Sequence, residues 1–223
     1  MKYYKAYDKR YKKVHENHLS WASNNNSKIV EEVMIKYNIL SKSKILEIGC
    51  GEGRDARYLL RKGYNIYATD VSEEAIKYCI ENDIEHKDKY QVLDILENNN
   101  TTKYDFIYSV ACLHMLVLND DRRKYYKFIY THLKNNSYAL ILSMGDGKIQ
   151  MMSNINDAFK ETKRIHEETK KEMYLPTTSC RIVNMQEFKR EANENNFLVV
   201  ETGITKISPD FNKIMYMVIK KVE

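Results

Sequence analysis

Glycines 49, 51 and 53 stand in the run LEIGCGEGR, residues 46–54, with Glu47 two positions ahead of the first glycine. A second acid, Asp70, closes the run YNIYATD, 21 residues beyond Gly49. Alternate glycines let a backbone turn tightly and come close to a bound molecule. A dinucleotide loop has the spacing G-x-G-x-x-G, and its third glycine lets a helix N-terminus face the pyrophosphate. Arg54 holds that third position here, so an NAD site is disfavoured. The two acids suit instead a ligand that offers an ammonium group and ribose hydroxyls and has no phosphate to cradle.

Other residues could do chemistry, each with a plainer alternative. His114 follows the run YDFIYSVA (104–111). A histidine there could take a proton from a hydroxyl or amine near neutral pH, and a packed or helix-capping histidine fits the position as well. His15 and His18 lie three apart, but no carboxylate or cysteine set completes a metal site. Cys50, Cys79, Cys112 and Cys180 are too far apart for a zinc or disulfide framework. Neither proline precedes a cysteine, so Cys112 lacks the Pro-Cys pair of cytosine-C5 methylation, and it reads with Cys180 as packing.

The elements that must position these residues follow from patterning. With 223 residues, 43% hydrophobic and 30% charged, the chain is expected to form one domain. KILEIG (44–49) and YNIYATD (64–70) flank a helix, GRDARYLLRKG, closed by Gly63. A helix at SEEAIKYCIEN follows, with Ser72 as its cap, then strands YQVLDI and YDFIYSVA. A helix over NDDRRKYYKFIYTHL, capped by Asn119 or Asp120, leads to the buried strand YALILSM (138–144). The alternation predicts βα units around a parallel sheet.

After that the rhythm breaks. Residues 146–184 read as a polar loop, a charge-rich amphipathic helix over 157–172 and an extended piece with Pro176. Helical spacing returns in MQEFKREANENN, and FLVVETG and IMYMVIK, with Pro209 in the turn between them, predict an antiparallel hairpin.

The net charge of +5 is too small to imply nucleic acid unless it is clustered. The one cluster, Lys2, Lys5, Lys9, Arg10, Lys12 and Lys13 around Asp8, reads as a solvated helix face, and nucleic acid is disfavoured as a partner. The first residues lack the apolar core of a signal peptide, and no run approaches the ~18 apolar residues of a membrane span. A soluble protein with free thiols in a reducing cytoplasm is expected, with no membrane partner.

Four ordered motifs, LEIGCGEGR, ATDVS, VLDI and YDFIYSVACLHML, make residues 28–223 resemble the class I S-adenosylmethionine-dependent methyltransferases. The resemblance implies an α/β, Rossmann-like, doubly wound sheet of seven mostly parallel strands with a C-terminal antiparallel hairpin. It divides the chain into a helical cap segment (1–28) and a methyltransferase domain (29–223), in which residues 146–184 shape the substrate pocket. It also implies residue roles. Gly49, Cys50 and Gly51 would approach the methionine moiety, with Glu47 orienting the loop or the ammonium group. Asp70 would accept from both ribose hydroxyls. Val71 would line one adenine face, Asp94 and Ile95 would read the adenine edge, and Ser109 and Val110 would pass under the sulfonium.

GCGEGRDARYLL is most similar to the small-molecule branch that includes tellurite-resistance and thiopurine methyltransferases. There an aromatic N-terminal segment closes over the cofactor, which gives Trp21, with Tyr7 and Tyr11, a purpose. Arg54 would pair with the cofactor carboxylate. The implied reaction is in-line transfer of a methyl group to a small-molecule acceptor, leaving S-adenosylhomocysteine, with His114 as the candidate base for an alcohol. Two alternatives stay open: a methyltransferase acting on RNA or protein, although the Asn- or Asp-Pro-Pro-aromatic signature is replaced by SVAC, and a non-catalytic cofactor-binding protein.

Overall fold

The computed structural model describes residues 2–21, 23, 25–98, 100–166, 169–207 and 211–223. Helices α1 (Ala6–Glu16) and α2 (Lys28–Lys36) precede β1 (Ile45–Ile48), α3 (Arg54–Arg61), β2 (Ile66–Asp70), α4 (Glu73–Asn82) and β3 (Tyr90–Val92). Next come β4 (Tyr104–Val110), α5 (Asn119–His132) and β5 (Leu133–Met144). Four short strands, β6 (Met151–Met152), β7 (Glu161–Ile165), β8 (Glu172–Pro176) and β9 (Arg181–Ile182), lead to α6 (Met185–Glu194), β10 (Phe197–Ile207) and β11 (Phe211–Lys221).

Seven of these strands form one sheet in the order β10-β11-β5-β4-β1-β2-β3. β1 pairs in parallel with β2 and with β4, and β11 runs antiparallel to both of its neighbours. The seven-stranded α/β sheet and its terminal antiparallel hairpin are therefore present as expected. Chain progression reverses between β1 and β4, and in such sheets ligands bind outside the carboxyl ends of the strands at that reversal. The sequence explains the centre of the sheet directly: every residue of β1 is buried, as in a strand covered by helices on both faces. Apolar residues of α5, among them Tyr125, Phe128 and Ile129, cover one face, and Leu59 and Leu60 of α3 pack on the other.

Three features differ from the sequence expectations. The helix expected over 157–172 is absent: a single 3-10 turn at Ile155–Asp157 is followed by β7, which pairs antiparallel with β8. In β8 the buried Met173 and Leu175 alternate with the exposed Glu172 and Tyr174, a period of two, and they pack on Val14 of α1. Docking on α1 overrides the helical preference of the charged residues. Neither Asn119 nor Asp120 caps α5, whose N-cap position is Leu118; the Tyr3 hydroxyl accepts the Val117 and Leu118 N–H groups and donates to Asp121 instead. The basic N-terminal cluster is not only a solvated face, because Arg10 within it is buried. The turn expected at Pro209 lies outside the described residues. Among the described residues no helix is long and apolar enough to cross a membrane.

Candidate active site

The glycine loop joins β1 to α3, with Gly49, Gly51 and Gly53 at φ of 72°, 54° and 74°. These left-handed values strain any side-chain-bearing residue. Space is equally restrictive at all three, a Cβ on Gly53 standing 2.8 Å from Cys79 Sγ. A Cβ on Gly49 would stand 2.8 Å from Cys112 Sγ, and one on Gly51 would stand 2.6 Å from the Tyr11 hydroxyl. The loop is tied to β2 by the N–H groups of Gly49 and Cys50, which both donate to the Thr69 carbonyl, at 2.8 and 2.9 Å. Asp70 completes the tie: Oδ2 accepts Gly51 N–H and Oδ1 accepts Ser72 N–H, each at 2.8 Å. Ser72 caps α4 by accepting Ala75 N–H, as its sequence position suggested.

Glu47 is 2% exposed, and the Tyr108 hydroxyl donates to its Oε2 at 3.0 Å. Burial, reinforced by the nearby Asp55 charge, pushes the Glu47 carboxyl up to about 8. The Arg54 guanidinium opposes that rise. It donates to Ser27 Oγ at 3.1 Å and lies 3.6 Å from Asp55 Oδ2.

Helix α1 roofs the loop. Tyr7, Arg10 and Tyr11 share its cavity face, and Arg10 lies over the Tyr7 and Trp21 rings, at 5.5 and 4.9 Å from their centroids. The roof is fastened by His15, whose two ring nitrogens meet Glu52 at 2.9 Å and Glu74 at 2.8 Å, and whose ring stacks on Tyr78. Asp8 adds a second fastening by accepting Ser72 Oγ–H and Glu74 N–H. Beside the β3 end, Asp94 Oδ2 accepts from Lys2 and from the Tyr4 hydroxyl, and its Oδ1 accepts Leu96 N–H.

At the tip of β4, Val110 and the loop residue His114 reach the same space. His114 is buried, and its Nδ1 has no hydrogen-bond partner among the described residues. Burial, aided by the Arg122 charge, lowers its pKa to about 4, so the imidazole is neutral at physiological pH. Arg122 fixes the loop by donating to the carbonyls of Leu113 (2.9 Å) and Leu116 (3.1 Å), while Glu191 of α6 accepts from it twice at 2.6 Å.

These groups enclose a cavity of about 590 Å³, within the ~300 to 1,000 Å³ range of small-molecule sites. Trp21, Glu47, Gly49, Cys50, Gly51, Arg54, Asp70, Val71, Asp94, Ile95, Val110 and His114 all line it. Ser109 does not: its hydroxyl points to that of Tyr125.

Residues 13–175 match the model of the family described as tellurite resistance protein TehB. The chain belongs to that family. Over 124 residues it is 31% identical to a ubiquinone biosynthesis O-methyltransferase of Rickettsia typhi, covering 54% of this chain and 48% of that protein. It is 30% identical, again over 124 residues, to a probable S-adenosyl-L-methionine-dependent methyltransferase TehB of Haemophilus influenzae, covering 53% of this chain and 42% of the other. The chain thus spans about half the length of these curated relatives. Its fold matches 1,6-didemethyltoxoflavin-N1-methyltransferase of Burkholderia thailandensis with a TM-score of 0.70 at 14% identity, over 95% of this chain and 85% of that one. It also matches an S-adenosylmethionine-dependent methyltransferase of Clostridium acetobutylicum with a TM-score of 0.67 at 16% identity, over 96% of each chain. At such identities the likeness establishes the methyltransferase fold.

Within this TehB-family chain, several site residues carried no local signal. Arg10 looked like part of a charged helix face and His15 had only a discarded metal reading with His18; the docking of α1 turns both inward. Arg164 and His166, which also line the cavity, belong to the segment expected to be helical, and Thr178 to the extended piece after it. Helical phase along α1 offered the one available clue, since Tyr7, Tyr11 and Val14 recur at spacings of four and three.

Proposed function

We propose that this chain binds S-adenosylmethionine in the cavity and transfers its methyl group to a small-molecule acceptor, with S-adenosylhomocysteine as the product. The observation that carries this is the convergence of Gly49, Gly51, Glu47, Asp70 and Asp94, from the carboxyl ends of three adjacent strands, on one roofed cavity. The two curated relatives, both named as methyltransferases, support it.

The residues fit the group. Each Asp70 oxygen accepts one backbone N–H and keeps a lone pair for a ribose hydroxyl. Gly49 and Gly51, with no room for a side chain, offer backbone to the methionine moiety. Glu47 ionises beside its ammonium group, and Arg54 takes its carboxylate. Val71, Asp94 and Ile95 line the base end, where Lys2 and Tyr4 hold Asp94 in place. When bound, the cofactor supplies an activated methyl group on a positively charged sulfur.

The chain's own work is alignment. Orienting two reactants in a closed site can contribute ~7 to 11 kcal/mol. Tyr7, Tyr11 and Trp21 of the 1–28 segment exclude water, and residues 146–184 shape the acceptor end through Arg164, His166, Thr178 and Cys180. His114 is too weak a base to store a proton near neutral pH, so it serves as a neutral wall residue at the acceptor end of the cavity and not as a proton store. The free cysteines suit a reducing cytoplasm.

The test is incubation with methyl-labelled S-adenosylmethionine and a panel of small thiols, phenols and amines, followed by detection of labelled product and S-adenosylhomocysteine. Acceptor-dependent turnover is expected. Turnover no faster than without protein, across the panel, would count against the proposal.

A further inference from the structure

Charge is unevenly distributed over the cavity wall. Its acids, Glu47, Glu52, Asp55, Asp70 and Asp94, all come from the stretch that starts in β1 and ends two residues after β3. The wall built by α1 and the segment around β7 and β8 contributes no described acid and two arginines, Arg10 and Arg164. Arg10 is 7% exposed, and its Nε and Nη2 donate to the Pro176 carbonyl at 3.3 and 2.8 Å. A guanidinium has five N–H donors, and no other described acceptor meets those of Arg10. No described carboxylate lies within ion-pair distance of either arginine. Burial and the neighbouring Arg164 charge pull the Arg10 guanidinium below its usual range, as expected for cations gathered without an anion.

A buried charge is costly unless paired, and the open side of Arg10 is the cavity. Tyr7 and Trp21 lie beside the Arg10 guanidinium, and Met115, Met144 and Phe211 line the same cavity. An inorganic oxyanion alone would leave this apolar and aromatic surface without a partner. We propose that Arg10 and Arg164 form a carboxylate-binding subsite, so that the acceptor is an organic acid with a planar apolar body. This rests on the proposed function for the identity of the site, since the subsite is placed beside a cofactor whose sulfonium end would face the acidic half. The carboxylate is then held away from the acids and the nucleophilic atom is turned toward them.

The experiment titrates benzoate, its neutral isostere benzamide, and sulfate into the protein saturated with S-adenosylhomocysteine, using calorimetry. The subsite predicts that benzoate binds about tenfold or more tightly than benzamide, as for a charge-assisted hydrogen bond, and more tightly than sulfate. Arg10→Gln and Arg164→Gln should each remove most of that preference. Arg164 is exposed, so its variant tests the subsite even if Arg10→Gln weakens α1. Equal affinity for benzoate and benzamide, including no binding of either at roughly 10 mM, would overturn the subsite. Sulfate binding as tightly as benzoate would overturn its assignment to an organic acid. If S-adenosylhomocysteine itself fails to bind, the proposed function falls, and the same three titrations on the protein alone still decide the subsite.

Discussion

The hydroxyl of Tyr11, on the roofing helix, lies only 2.6 Å from the place a Cβ on Gly51 would occupy. The roof and the glycine loop are therefore in contact at a position where the loop also requires a left-handed backbone, with φ of 54°.

Gly51→Ala should consequently fail for two separable reasons. The left-handed conformation costs about 1 kcal/mol for a non-glycine residue, and the collision adds to it. Tyr11→Phe removes the colliding oxygen, since the next ring atom is 3.6 Å away. In a denaturation cycle the double variant should recover the collision part and leave the backbone part. Strict additivity of the two changes would show that the roof does not press on the loop.

Glu47 makes stability pH-dependent. Its carboxyl is at about 8 in the folded chain against a usual 4.5, so the folded state holds a proton that the unfolded state has released. Its contribution is fully present below 4.5 and is lost as pH rises to about 8. Chemical denaturation from pH 5 to 8 should show that decline, and Glu47→Gln should flatten it. Affinity for a cationic ligand should rise over the same window, because the ligand favours the ionised carboxylate.

His15 acts in the same pH direction at the roof. Burial disfavours its charge, but the hydrogen bonds to Glu52 and Glu74 outweigh that, and its pKa is raised above 6.5. The fastening is complete below 6.5 and weakens as pH rises through the raised value. Amide exchange of α1, corrected for intrinsic pH effects, should accelerate on that side. His15→Gln should remove the pH dependence, and exchange in α1 that ignores both changes would rule His15 out as the fastening.

The Arg122–Glu191 pair is the buried support of the His114 loop. Removing one partner leaves the other charge uncompensated, which costs about 3 to 5 kcal/mol in comparable sites. Glu191→Gln should therefore lower stability by that order in thermal or chemical unfolding. Replacing both with Met and Leu should recover part of the loss; a double variant as unstable as the single would mean that the carbonyl bonds to Leu113 and Leu116 carry the cost.

What the sequence revealed was whatever is local. Glu47, the three glycines and Asp70 were legible because strand, loop and helix follow one another within 30 residues, and Ser72 because capping is a nearest-neighbour property. Arg10 and His15 were not, since their partners Pro176, Glu52 and Glu74 come from remote segments that patterning does not connect. Strand β7 was misread as part of a helix because its charges favour helix locally, whereas β8, in the piece read as extended, buries Met173 and Leu175 against α1 and gives β7 its partner. Ser109 was expected beside the ligand from its place near the strand end, yet side chains alternate along β4 and its hydroxyl faces Tyr125.

Calorimetric titration of ligand-free protein with S-adenosylhomocysteine and with NAD decides whether the glycine loop and Asp70 hold S-adenosylmethionine. One site is expected for S-adenosylhomocysteine and none for NAD. In Asp70→Ala, folded by circular dichroism, the affinity should fall by about 100-fold or more, the lower bound for two lost hydrogen bonds to a charged group. Absence of S-adenosylhomocysteine binding, or equal affinity in Asp70→Ala, would contradict the account.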